Sequence, residues 1–112
     1  MLKLQHKNLD KKRWGAFPFT HQVLMIANEI NRAKNVFNPD DQKEANLCLE
    51  RALELVFLKI DNLKKSSYLK EFLRLKEFIA EQYINKKKKR KDLEQLFKAT
   101  ISLDGEAFKT EN

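Results

Sequence analysis

Cysteine is almost absent from this chain. Cys48 is the only one in 112 residues, so no internal disulfide can form, and zinc sites built on four cysteines or on two cysteines with two histidines cannot be assembled. A reducing compartment, the cytoplasm, is the expected setting. Glycine and proline are scarce as well, two of each, too few for the many turns of a β-sandwich. Gly15 and Gly105 stand alone, which leaves no glycine-rich phosphate loop. Long apolar runs are missing: a run such as Leu55-Val56-Phe57-Leu58 falls far short of the roughly 20 residues that cross a bilayer. Met1 to Arg13 is interrupted by charge too often to form the core of a signal peptide. Neither a membrane partner nor an export route is expected.

What the chain does have is helix-forming material, with 42% hydrophobic and 35% charged residues. Trp14, Phe17 and Phe19 close a basic N-terminal arm, residues 1–19, in which Pro18 delays the first helix. Thr20 is its expected N-cap, with Phe19 and Leu24 spaced as a hydrophobic staple, and Val23, Ile26, Ala27, Ile30, Ala33 and Phe37 predict a helix over 20–37. Asn38-Pro39-Asp40-Asp41 reads as a cap, a first-turn proline and two carboxylates at the positive end of a second helix, over 39–64. The main stripe of that helix runs from Ala45 and Cys48 to Ile60 and Leu63, but Leu47, Phe57 and Leu58 lie on another side. A helix apolar on two sides is central in its bundle or meets a second partner.

Ser66-Ser67 offer caps for a third helix over 67–85. Asp92 and Gln95 have the spacing of a capping box for a short fourth helix ending at Ile101, beyond which residues 102–112 are expected to be a disordered tail. The expected fold is all-α: a small antiparallel bundle of three to four helices over 20–101, preceded by the basic arm.

The net charge of +7 is unevenly spread. Residues 1–13 carry five basic groups and one acid, and Lys86, Lys87, Lys88, Lys89, Arg90 and Lys91 follow one another without interruption; the rest of the chain, twelve basic residues against fifteen acidic, is net negative. Such a block serves either as a solvated helix end or as a polyanion-binding tail. Lysines suit phosphate contacts more than base reading, so binding there would have little sequence specificity. Lys11, Lys12 and Arg13 beside the arm's aromatics could add a stacking platform for single-stranded bases, although anchoring of those aromatics in the core is the preferred reading.

Catalytic constellations are hard to find. Glu50 with Glu54, and Glu77 with Glu81, are four residues apart, but a di-iron bundle needs Glu-x-x-His motifs and neither His6 nor His21 has a Glu three positions before it. Glu50 and Glu54 are assigned to a solvated helix face, and no metal or other cofactor is expected. Cys48 falls on an apolar stripe, where a thiol is inert. No histidine follows Arg51 or Arg74, which excludes the short arginine-to-histidine spacing of HEPN-type RNases. Lys59 and Lys76 fall within apolar stripes and are expected to snorkel.

Glu29-Ile30-Asn31-Arg32-Ala33, Arg51-Ala52-Leu53-Glu54-Leu55 and Leu73-Arg74-Leu75-Lys76-Glu77 give the stretch from Trp14 to about Tyr83 a look that resembles a group of short uncharacterised prokaryotic helical proteins. That resemblance implies a helical fold and no activity. In size, basicity and helical make-up the chain is also similar to the accessory bundle proteins of diversity-generating retroelements, which oligomerise and assist a reverse transcriptase; fold likeness alone does not carry function.

The expectation is therefore a non-enzymatic accessory protein that binds nucleic acid through Lys86–Lys91 and Lys11–Arg13. The alternative is an oligomeric interaction module, a homo-oligomer or a subunit of a larger partner, that uses Leu47, Phe57 and Leu58.

Overall fold

The computed structural model describes residues 11–63 and 68–103, with main chain only at 11–13 and at 62–63. These residues form five helices and no strand: α1 (Lys11–Ala16), α2 (Phe19–Val36), α3 (Lys43–Leu63), α4 (Leu69–Ile84) and α5 (Arg90–Ile101). The expected all-α class holds, but the count of three to four helices does not, because the end of the supposed arm is itself helical. Trp14 on α1 is fully buried and belongs to the same core as Ile26, Leu49 and Phe72. Its carbonyl accepts a hydrogen bond from Gln22 Nε2 at 2.6 Å, which ties α1 to the first turn of α2.

α3 packs against α2, α4 and α1, while α5 packs mainly on α2 and touches α4 much less. Three neighbours around α3 cover most of its apolar surface but leave Leu47 and Phe57 exposed, and one expectation is overturned: Glu54, assigned to a solvated face, is buried. α5 runs antiparallel to α2, held near its start by Arg90 Nη2 donating to the Phe37 carbonyl at 3.3 Å and further along by the Lys34–Glu94 ion pair. Lys34 also lies 5.9 Å from the Phe97 ring centre.

Helix boundaries moved for local reasons. α2 begins at Phe19, one residue before the expected cap Thr20: Pro18 occupies the N-cap position and its carbonyl accepts from the Gln22 N–H at 3.0 Å. α3 begins four residues later than Pro39. Asn38 Oδ1 accepts from the Asp40 N–H at 2.9 Å and Asp41 Oδ1 from the Lys43 N–H at 3.2 Å, so successive side-chain turns occupy residues that the helix was expected to take. α5 starts two residues before Asp92, whose N–H donates to the Lys89 carbonyl, and the expected capping box is not formed. Ser66 and Ser67 lie outside the described residues. Ser102 and Leu103, assigned to the tail, form a turn, with Leu103 packed against the core; residues 104–112 lie outside the described residues.

At the end where α2 starts, Phe19 stacks at 4.6 Å on Tyr68 and meets Phe72 edge-on at 6.0 Å. The Lys59 ammonium lies 5.0 Å from the Phe19 ring centre, against an aromatic face, and burial lowers its pKa.

Candidate nucleic-acid interface

The lysine run begins where α4 ends. Asn85 is the C-cap of α4; its N–H donates to the Glu81 carbonyl and its Oδ1 accepts from the Lys87 N–H at 2.9 Å, which turns the chain sharply. Lys88 then points inward. Its Nζ donates to the Asn85 carbonyl at 2.6 Å, to Gln42 Oε1 at 3.0 Å and to the Tyr83 carbonyl at 3.3 Å, and the residue is only 6% exposed. A lysine thus satisfies main-chain acceptors left over at the end of α4. Burial pushes its pKa below the ordinary lysine range. Gln42 completes the clamp by donating Nε2 to the Lys86 carbonyl at 3.0 Å.

With Lys88 turned in, Lys86, Lys87, Lys89, Arg90 and Lys91 are left exposed. They occupy two electrostatically opposite places. Lys86 and Lys87 follow the C-terminus of α4, whose dipole favours cations, whereas Lys89, Arg90 and Lys91 surround the N-terminus of α5, whose dipole disfavours them. No side chain caps α5, and Asp92 is the only acid in its first turn. A phosphate at this end would offset both the crowding of cations and the uncapped helix N-terminus.

Between the start of α3 and the end of α4 lies a hollow of about 480 Å³. Its lining includes Asp40 and Asn46, whose Oδ1 is buried without a hydrogen-bond partner, and Lys88, whose ammonium already makes three hydrogen bonds. Lys86 is the exposed cation at its edge.

The other candidate residues lie elsewhere. α1, which carries Lys11, Lys12 and Arg13, sits at the start of α2, and the eighteen residues of α2 put about 27 Å of helix between it and the lysine run. The side chains of those three residues lie outside the described residues. Trp14 cannot stack on a base because it is buried; Phe17 meets it edge-on at 6.2 Å and lies 4.9 Å from His21. Leu47 and Phe57 are 38% and 45% exposed on α3, but Leu58 packs against the core.

Cys48 is buried, and desolvation, helped by the nearby Glu29 carboxylate, raises its thiol pKa. Glu29, itself buried, pairs with Arg32 at 3.4 Å. Among the described residues no group of three His, Cys, Asp or Glu side chains is placed to hold a metal, and no helix is long and apolar enough to cross a membrane. Set against protein-family models, curated proteins and solved structures, the chain matches none.

Proposed function

We propose that this chain is a non-catalytic accessory protein of a reducing compartment, the cytoplasm, that binds nucleic acid by its phosphates, with little sequence specificity. The observation that carries this reading is the set of five exposed cations, Lys86 and Lys87 just after the end of α4 and Lys89, Arg90 and Lys91 around the uncapped start of α5. Lysine-rich clusters of this kind neutralise phosphates without reading bases. Because α1 lies at the other end of the bundle, Lys11, Lys12 and Arg13 would form a second contact on the same long polymer rather than part of one patch. The test is binding of single- and double-stranded polynucleotides to the wild type and to a variant with Lys86, Lys87, Lys89 and Lys91 changed to Gln, retaining Lys88.

A second reading is favoured by the exposure of Leu47 and Phe57. Exposed large apolar side chains on one helix can mark a contact with another protein, and a homo-oligomer or docking to a larger partner would cover them.

A further inference from the structure

α4 and α5 are the least closely packed neighbours among the long helices, and the seam between them is open. Two adjoining hollows of about 270 and 230 Å³ run along it, sharing Phe78 and Ala99. Buried Leu75 and Leu96 line its floor, and Phe78, 45% exposed, stands between them and solvent. From Glu71 to Gln82 the lining of α4 covers eleven residue steps, about 17 Å or three helical turns.

The charge of this seam is opposite to that of the molecule. In a chain of net charge +7 with 23 lysines and arginines, the lining contains three carboxylates, Glu71, Glu81 and Asp92, and Arg74 as its sole cation. Gln82 also lines it, and its Oε1 has no hydrogen-bond partner. An apolar floor with acceptors along the rim matches a helix that has an apolar stripe bordered by lysine or arginine. The segment following Leu103 fits poorly, since Asp104, Glu106 and Glu111 outweigh Lys109.

We propose that the α4–α5 seam is a docking groove for a basic amphipathic helix of about three turns belonging to a partner protein. The apolar stripe of the partner covers Phe78 and fills the two hollows, and its basic borders pair with Glu71, Glu81 and Asp92. This surface shares no residue with the lysine run, which it adjoins at Asp92.

The experiment is a fluorescence-anisotropy titration of full-length protein with a labelled 14-residue peptide carrying leucines at helical spacing flanked by lysines. Two control peptides replace the lysines with glutamates or scramble the leucine positions. Binding of the basic peptide at least tenfold tighter than either control is expected. Phe78→Asp, at an exposed position, should weaken it at least tenfold with an unchanged far-UV spectrum, and Glu81→Lys with Gln95→Lys should shift the preference to the acidic peptide. Basic-peptide binding indifferent to these variants overturns the proposal. So does a wild type that binds no peptide and whose mass in light scattering falls on Phe78→Asp, because a second copy of the chain then fills the seam.

Discussion

Gln42 Oε1 accepts a hydrogen bond from Lys88 Nζ at 3.0 Å, joining the start of α3 to the loop that follows α4 across 46 positions of sequence. Lys88 therefore differs from every other member of its run. Lys88→Met should strand three acceptors and cost about 1–3 kcal/mol of stability in urea unfolding, with little effect on polynucleotide affinity. Lys87→Met should do the reverse. Equal effects of the two substitutions on stability would contradict the inward role of Lys88.

Trp14 should show blue-shifted fluorescence in the native protein that moves red on unfolding, and should resist quenching by added oligonucleotide, because its ring is fully buried. Trp14→Ala should cost about 3–5 kcal/mol, since it removes the side chain by which α1 enters the core. A red, readily quenched native signal would mean that α1 detaches in solution.

Cys48 should react with a thiol reagent only on unfolding, as burial both blocks access and disfavours the thiolate. Its folded pKa is raised, so the thiol's contribution to stability is fully present below the unfolded value near 9.0 and is lost as pH rises from there through the folded value. Cys48→Ala should remove that part of the alkaline decline in denaturation midpoints. Rapid labelling of the native protein near neutral pH would contradict the buried placement.

If Leu47 and Phe57 form a self-association face, Leu47→Glu with Phe57→Lys should lower the mass in light scattering while helicity is kept, since both side chains are well exposed. Leu58 is unsuitable for such a test because it packs against the core. A wild type that is monomeric at high concentration rejects self-association.

The hydrophobic periodicity of Val23 to Ala33, of Ala45 to Val56 and of Phe72 with Ile79 was legible in the sequence, and each of these stripes faces the core. Helix starts were less so. Asn38 and Asp41 are good caps, but here their side chains hold two turns before α3 rather than the helix itself. Lysine is a fair helix former, so α5 could extend back through Lys91 and Arg90, and the Asp92–Gln95 spacing carried no boundary information. No local pattern specifies the burial of Glu54. Likewise the Lys88–Gln42 contact joins two distant polar residues with no periodic signal, and six successive cations look alike until the turn at Asn85 aims one of them inward.

The central claim, that the exposed cations between the end of α4 and the start of α5 bind phosphates, is tested most directly by the slope of log affinity against log salt. Changing Lys86, Lys87, Lys89 and Lys91 to Gln together should flatten that slope by about 3.6 on a duplex and about 2.8 on a single strand, with the far-UV spectrum unchanged. An unchanged slope in the fourfold variant, or a wild type that binds neither polymer at low salt, would contradict it.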